Sequence, residues 1–268
     1  MSRRASHSER MARPIAARRH DEILKRIART GTVSVEELAR RFGVSRETIR
    51  RDLKALADRG RVDVVHGGAA RREAVEAGFD ERSQENIEGK AAIGRAAAAL
   101  VEDGMVVLLD SGTTILEVAR ALSAKRNLTV CTNGLANAQL LCRVAGTRVH
   151  MLGGEIDATE EAAVGVDVIA ALDRFRVDVA FVGAGGLSHG GEITDYVRAA
   201  AEQRSRMLLA AGRAYILVDH TKFGRLTPIR IAEAERAAAL IVDRAPPVMM
   251  AESLERRGLS TIVAPPRG

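Results

Sequence analysis

Two sets of residues in this 268-residue chain have the chemistry to bind anions. The first is basic and lies between residues 44 and 56, where apolar residues recur at positions 49, 53 and 56 with helical spacing. The opposite side of that helix would carry three cations and one acidic residue, namely Arg50, Arg51, Lys54 and Glu47. A short helix with a cationic outer face fits the DNA major groove, although the solvated face of an ordinary amphipathic helix has the same pattern.

The residues around this helix favour the DNA-contacting interpretation. Ser45 is a typical N-cap, because its hydroxyl can accept a hydrogen bond from a free backbone N–H. Upstream, Ser34-x-x-Glu37 has the form of a capping box and predicts a helix from about Glu36 to Phe42, which Gly43 would end in a left-handed conformation. Two short helices that meet at a glycine turn predict a helix-turn-helix.

A third helix and a strand complete the first predicted domain. Ile15 to Arg29 has apolar residues at helical spacing, and Gly60 to Ala69 is typical of a strand with a glycine-rich end. These elements predict an α+β winged helix-turn-helix domain over residues 13–70, after a basic arm at 1–12. Residues 1–72 hold 19 Lys and Arg against 9 Asp and Glu, and the remainder holds 22 against 26. The basic front is therefore the part expected to meet a polyanion.

The second set of candidate residues lies in a predicted α/β domain at 89–264, after a linker at 71–88. Short apolar strands alternate there with helices, which predicts a mostly parallel sheet covered on both faces. The predicted strands are Met105–Leu109, Leu128–Cys131, Arg148–Leu152, Asp178–Val182, Tyr215–Val218 and Ala239–Val242. In such sheets, ligands bind beyond the carboxyl ends of the strands.

Five of these strands are followed by glycine, hydroxyl, amide or lysine residues. The runs are Asp110-Ser111-Gly112-Thr113-Thr114, Thr132-Asn133-Gly134, Gly153-Gly154, Gly183-Ala184-Gly185-Gly186 and Asp219-His220-Thr221-Lys222. Any one run is ordinary turn chemistry, but five in one sheet predict a polar pocket. In the first run, small residues and hydroxyls precede the start of a helix, a combination that suits an anion.

The sequence does not contain the motifs that are typical of nucleotide-binding, metal-binding or membrane-spanning segments. The glycine run at 183–186 does not complete a dinucleotide fingerprint, no phosphate-loop motif occurs, and no cofactor is expected. His189 and His220 have no partners at metal-ligand spacing. No apolar run reaches the roughly 18 residues of a membrane span, and the N-terminus is unlike a signal peptide, so a cytoplasmic protein without membrane contact is expected. Cys131 and Cys142 are expected to be small buried hydrophobic residues.

The ordered residues of the first domain resemble the DeoR-type family of bacterial transcriptional repressors of sugar and polyol metabolism. The resemblance is carried by Gly31-x-Val33-x-Val35-x-Glu37-Leu38-Ala39, by Phe42-x-Val44-Ser45-x-x-Thr48-Ile49-Arg50-Arg51-Asp52-Leu53 and by His66-Gly67-Gly68-Ala69. It implies binding to double-stranded operator DNA. The implied contact residues are Ser45, Arg46, Thr48, Arg50, Arg51, Lys54, His66, Gly67 and Gly68. Val64 stands where the family commonly has an arginine.

The second half resembles the effector domain of the same family, which is similar in fold to phosphosugar isomerases and CoA transferases. The matching residues are Phe79-x-x-Arg82-x-x-x-Asn86-x-x-x-Lys90, Ser111-Gly112-Thr113-Thr114, Thr132-Asn133, Leu152-Gly153-Gly154 and Asp219-x-x-Lys222-Phe223-Gly224. The resemblance implies that this domain senses a phosphorylated sugar or polyol. The run from Asp219 to Arg225 most resembles the sequence of the glycerol-3-phosphate repressors of this family. One position departs from the family pattern, because Ala200 stands where the family usually has an acidic residue.

Specific roles follow for the effector site under this resemblance. Lys222 would neutralise the phosphate, the Ser111–Thr114 loop would surround it, and Asp110, Asn133 and Asp195 would hold hydroxyl groups. The full predicted set is Asp110, Ser111, Gly112, Thr113, Thr114, Thr132, Asn133, Gly134, Gly153, Asp195 and Lys222. Two alternatives are a phosphosugar isomerase with a DNA-binding head and a protein-binding module whose winged helix no longer binds DNA. Paired operator half-sites also predict a homo-oligomer.

Overall fold

The computed structural model of the chain describes residues 16–30, 32–58, 61–65, 67–71 and 76–266, and it divides after residue 72 into two units. The predicted basic arm at 1–12 lies outside the described residues. In the described part of the chain, no helix is long and apolar enough to cross a membrane.

The first unit is a winged helix-turn-helix. Its helices are α1 (Ala16–Thr30), α2 (Val35–Phe42) and α3 (Arg46–Asp58), and its strands are β1 (Thr32–Ser34), β2 (Val62–Val65) and β3 (Gly68–Arg71). The strands form an antiparallel sheet in the order β1-β3-β2. Apolar residues from all three helices and from the sheet form one buried core, which includes Ile23, Leu38 and Leu53.

The wing differs from the single strand that the sequence predicts over Gly60 to Ala69. It is a hairpin of β2 and β3 that turns at Gly67, whose φ of 80° is favourable for glycine. The unpredicted strand β1 pairs with β3 so closely that a Cβ atom on Gly68 would lie 1.9 Å from the carbonyl oxygen of Val33. Gly68 is therefore buried and is required for the packing of this sheet.

The second unit is an α/β domain. Its helices are α4 (Phe79–Gln84), α5 (Ile87–Ala98), α6 (Thr113–Leu122), α7 (Leu135–Leu141), α8 (Val166–Leu172), α9 (Arg198–Ala210) and α10 (Val248–Arg256). Its strands are β4 (Val106–Leu109), β5 (Thr129–Thr132), β6 (Arg148–Met151), β7 (Glu155–Asp157), β8 (Ala162–Val164), β9 (Val177–Val182), β10 (Gly186–Leu187), β11 (Ile193–Asp195), β12 (Ala211–Leu217), β13 (Ile229–Arg230), β14 (Ala239–Val242) and β15 (Thr261–Val263). The described part of the predicted linker at 71–88 contains α4 and the start of α5.

Seven strands of this unit form a parallel sheet in the order β15-β14-β12-β9-β4-β5-β6. The chain adds β5 and β6 outward on one side of β4, then returns to place β9, β12, β14 and β15 on the other side. The order therefore reverses between β4 and β9, and in open α/β sheets this switch point is where ligands bind. The predicted mostly parallel sheet is confirmed.

Alternating residues of the strands pack on opposite faces of the sheet. One face packs under α5 and α6, where the rings of Phe181 and Tyr215 stack with centroids 5.9 Å apart. The other face packs under α8, α9 and α10. Strand β15, helix α10 and the small β7–β8 and β10-β11-β13 sheets were not predicted, because their apolar runs are too short to be distinguished from loops.

The two cysteines occupy different environments. Cys131 is buried, and burial raises the pKa of its thiol to about 11. Cys142 is exposed, so the prediction that it is buried is wrong. It caps the C-terminal end of α7, where its side chain is directed away from the core of the unit.

Candidate functional site

The turn before α3 is held by local hydrogen bonds. Gly43 has a φ of 62° and donates its backbone N–H to Ala39, which ends α2. Two residues later, Oγ of Ser45 accepts the backbone N–H of Thr48 at 3.0 Å and lies 2.9 Å from the Thr48 hydroxyl. The sequence-predicted caps are thus present, and they define where the basic helix begins.

The outer face of α3 presents cations to solvent. The side chains of Arg50 and Arg51 are 65% and 81% exposed, and Arg46 and Lys54 are exposed as well. Arg50 and Arg51 lie 3.7 and 3.6 Å from the carboxylate of Glu47. Surface pairs of this length contribute at most about 1 kcal/mol, so the guanidinium groups can exchange them for phosphate or base contacts.

The inner face of α3 determines the rotation of the helix. Ile49, Leu53 and Leu56 are buried in the core of the unit. Asp52 is also buried, and it accepts hydrogen bonds of 2.8 and 3.0 Å from the guanidinium group of Arg19, while His20 lies 3.0 Å away. Sequence analysis missed this role for Asp52, although its position between Ile49 and Leu56 on the apolar stripe was a signal.

The three wing residues that were predicted to contact DNA lie in different environments. His66 lies outside the described residues. Gly67 is exposed at the hairpin turn, whereas Gly68 is buried between strands. A DNA contact at Gly67 therefore stays a prediction, and the reason for glycine at position 68 is packing.

In the second unit, a small cavity of about 30 Å³ lies at the switch point of the sheet. Loops after β4, β9 and β12 line it, together with the segment before α5 and a buried arginine from α9. Its lining residues are Glu76, Arg82, Glu85, Lys90, Ser111, Gly112, Thr113, Thr114, Ile115, Gly183, Ala184, Arg204, Leu217, Val218, Asp219 and Lys222. Five of the predicted effector residues, Ser111 to Thr114 and Lys222, are among them.

Lys222 lies in a short 3-10 helix, His220–Lys222, that follows β12. Asp219 caps this turn by accepting the backbone N–H of Thr221 at 3.1 Å. The amide of Asn86 in turn donates to Asp219 at 3.1 Å and to Asp243 at 3.0 Å. The mostly buried ammonium group of Lys222 is thus held at the cavity by a network that begins at the start of α5.

The loop at the start of α6 also lines the cavity. Gly112 has a φ of 101°, which only glycine adopts readily, and no side chain of the described residues caps the N-terminus of α6. A helix start of this kind presents free backbone N–H groups and the positive end of the helix dipole. The arrangement has the donors that an anion needs.

Arg204 of α9 binds two of the predicted hydroxyl-holding carboxylates. Its Nε donates to Asp110 at 2.7 Å, and its Nη1 donates to Asp195. Asp110 also accepts the backbone N–H of Gly183 at 2.9 Å. Both carboxylates are therefore occupied, and in this structure they fix Arg204 rather than face the cavity. Burial would lower the pKa of Arg204, but Asp110, Asp195 and Glu160 raise it well above its ordinary value.

A second buried cluster joins Lys222 to Arg82 through carboxylates. Glu76 accepts hydrogen bonds from Lys222 Nζ at 2.8 Å and from Arg82 Nη1 at 3.3 Å, and Arg82 also donates to Glu160 at 3.2 Å. Burial would raise the pKa of Glu76, but the charges of Lys222 and Arg82 outweigh it and lower the pKa to about 2. Burial raises the pKa of Glu160 to about 7 against the charge of Arg204, and the charge of Glu76 adds to the rise.

Four of the predicted effector residues lie away from the cavity. Thr132, Asn133 and Gly134 follow β5, and Gly153 follows β6, which are the two strands on the far side of β4. Oγ1 of Thr132 accepts from Gly134 and from Asn137 at 3.1 and 3.2 Å. The amide of Asn133 donates to the carbonyl of Ala163 in β8 at 3.0 Å. These residues anchor the β7–β8 hairpin, whose tip carries Glu160.

Sequence analysis missed five charged residues in or next to the cavity: Glu76, Arg82, Lys90, Glu160 and Arg204. Arg82 and Lys90 stood in the family-like pattern but received no role. Arg204 could have been found as a charged residue on the apolar stripe that runs through Ala201 and Leu208 of α9. Glu76 and Glu160 carried no local signal, because their partners are distant in the chain.

Two family models match the chain. A model described as the DeoR-like helix-turn-helix domain matches residues 19–75, and one described as the DeoR C terminal sensor domain matches residues 85–244. The HTH-type transcriptional repressor CsqR of Escherichia coli K12 is 29% identical over 246 residues, which span 91% of this chain and 94% of that protein. The glycerol-3-phosphate regulon repressor of the same organism is 30% identical over 237 residues, which span 88% and 94%.

Among solved structures, ribose 5-phosphate isomerase A from Methanocaldococcus jannaschii shares 20% identity with this chain, with a TM-score of 0.36. The match covers 50% of this chain and 53% of the isomerase.

Proposed function

The chain belongs to the DeoR family of transcriptional regulators, and from that premise we propose that it is an operator-binding repressor released from DNA by a phosphorylated sugar or polyol. The observation that supports the effector class most directly is the shared cavity of Lys222 and the Ser111–Thr114 loop. An ammonium group and a helix N-terminus that line the same cavity suit a phosphate between them.

The first unit supplies the DNA contacts in this proposal. Helix α3 enters the major groove with Arg50 and Arg51 toward phosphates or guanine edges, and Lys54 and Arg46 add charge along the backbone. The buried Asp52–Arg19 pair and the Ile49–Leu56 stripe keep that face outward. Electrostatic attraction to the phosphate backbone supplies affinity, and the base contacts supply specificity.

Glycerol 3-phosphate is the first effector to test, because a relative that is 30% identical over 237 residues is named for the glycerol-3-phosphate regulon. The cavity is lined mainly by polar and charged side chains, which suit a phosphorylated polyol. For release, the ligand must bind the DNA-free arrangement more tightly than the DNA-bound one, and the coupling cannot exceed that difference.

The test of this function is Lys222→Ala. We expect the variant to bind operator as the unmodified protein does and to lose release by the phosphorylated effector, because the ammonium group that would neutralise the phosphate is removed while Arg82 still pairs with Glu76. Typical coupling of about 1–3 kcal/mol would make the lost response roughly five- to 150-fold in operator affinity. The effector is first found by a thermal-shift screen of phosphorylated metabolites, since ligand at one hundred times its Kd adds about 2.7 kcal/mol of stability.

Lys125→Ala is the matched control, because it removes the same charge from a loop that does not line the cavity. Its response to effector should equal that of the unmodified protein. A Lys222→Ala variant that stays folded but fails to bind DNA, or that releases DNA at the same effector concentration, would contradict the assignment of the phosphate to this cavity.

We also expect the protein to be a homo-oligomer. A single winged helix reads a short half-site, and two heads are needed for the paired half-sites that repressors of this kind recognise. Light scattering at micromolar concentration, with and without operator, measures the mass directly. A monomer under both conditions would be the contrary result.

A further inference from the structure

The cations that could bind a phosphate in this cavity are already neutralised by the chain itself. Lys222 and Arg82 both donate to the carboxylate of Glu76, whose side chain is only 9% exposed. Arg82 also lies beside the start of α6, because its Nη1 would be 3.9 Å from a Cβ atom on Gly112. Glu76 is therefore bound where the ammonium, the guanidinium and the helix N-terminus converge.

The charge balance of the cavity opposes the entry of a further anion. The described residues in and next to it include four cations, Arg82, Lys90, Arg204 and Lys222. Against them stand six carboxylates, Glu76, Glu85, Asp110, Glu160, Asp195 and Asp219. A phosphate adds up to two further negative charges to a buried site that already has an excess of carboxylates, which is strongly unfavourable.

Two changes would offset the two negative charges that a phosphate brings into the cavity. Glu160 can be neutral, because its pKa lies at about 7. Its Oε2 atom is buried without a hydrogen-bond partner among the described residues and lies 4.0 Å from Arg204. Glu76 is ionised throughout the physiological range and cannot be neutralised in place, since its pKa is about 2. It must therefore leave its cations when a second anion binds to them.

We propose that the carboxylate of Glu76 occupies the place of the effector's phosphate, and that the phosphate binds by displacing it from Lys222 and Arg82. This inference rests on the function proposed above. Glu76 then acts as a specificity-determining residue. A monocarboxylate ligand would only replace one carboxylate with another, whereas a phosphate has additional oxygens that can accept hydrogen bonds from the N–H groups of α6.

The test is phosphate affinity in Glu76→Gln, measured by calorimetry on the full-length chain with inorganic phosphate and with glycerol 3-phosphate as probes. We expect the Kd of phosphate to fall by at least about tenfold, because a charge-assisted hydrogen bond no longer has to be broken. Glu81→Gln is the matched control, because it removes the same charge from the exposed side of α4 and should leave the Kd unchanged.

A second variant reports on the carboxylate itself. In Glu76→Ala, added acetate can occupy the vacated position, so it should raise the apparent Kd of phosphate. In the Glu81→Gln control, acetate should have no effect, because the chain's own carboxylate is still present.

The outcomes separate this inference from the proposed function. If Glu76→Gln binds phosphate as weakly as the unmodified protein or more weakly, while Lys222→Ala abolishes binding, the phosphate site stands and Glu76 is a permanent part of it. If Lys222→Ala leaves phosphate binding unchanged, or if no variant binds either probe, both the inference and the assigned cavity are wrong.

Discussion

Replacing Arg50 and Arg51 together by alanine should weaken operator binding by at least about 2 kcal/mol, roughly thirtyfold, because each side chain is expected to make a contact worth about 1–3 kcal/mol. Both side chains are exposed, and their contacts with Glu47 are 3.6 Å or longer, so the fold should not change. The measurement is fluorescence anisotropy with an operator duplex selected by the unmodified protein.

The salt dependence of binding shows which kind of contact has been lost. Each phosphate contact contributes about 0.9 to the slope of log K against log salt concentration, so losing two would reduce the slope by about 2. A loss of affinity with an unchanged slope would instead indicate contacts to bases. Thermal stability should stay within about 0.5 kcal/mol of the unmodified protein, as for most surface substitutions.

The matched control removes two arginine charges from the second unit, in Arg120→Ala with Arg206→Ala. These side chains are about half exposed and pair with Glu117 and Asp173. Their loss should leave operator affinity nearly unchanged. Equal losses in the two double variants would mean that net charge alone drives binding and that α3 is not the recognition helix.

Replacing Arg204 by methionine should lower the free energy of unfolding by about 3–5 kcal/mol, the usual cost of breaking a buried ion pair. Methionine fills similar space, but Asp110 and Asp195 would keep two buried negative charges without their shared counterion. Chemical denaturation followed by circular dichroism measures the change. Arg206→Met, an exposed position on the same helix, is the control and should cost less than about 0.5 kcal/mol.

Neutralising the carboxylates separates charge from packing. With Asp110→Asn and Asp195→Asn added to Arg204→Met, most of the lost stability should return, because no uncompensated charge remains in the interior. If the triple variant is as unstable as Arg204→Met alone, the cost comes from lost packing or hydrogen bonds, and the electrostatic account of this cluster is wrong.

The sequence alone determined the helix-turn-helix and the strands of the parallel sheet. Ser34, Gly43 and Ser45 act on backbone groups within a few residues of themselves, so the ends of α2 and α3 could be predicted from residue type. The stripe of Ile49, Leu53 and Leu56 likewise defined which face of α3 is buried. Apolar runs marked six strands of the large sheet for the same reason, since periodicity is a local property.

Only the tertiary structure decided which strand ends share a site. Each predicted polar run does follow a strand. However, β5 and β6 lie on the side of β4 that is away from the cavity, so the polar runs that follow these two strands do not reach it. Strand order depends on how all the helices pack over both faces at once, and no local pattern encodes it.

The charged clusters were decided in the same way. Arg204 meets Asp110 across 94 positions of sequence, and Lys222 meets Glu76 across 146. A carboxylate that will bind a buried cation has the same sequence appearance as one that faces water. Its role depends on the low dielectric and the partners that folding brings together, and these exist only in the folded chain.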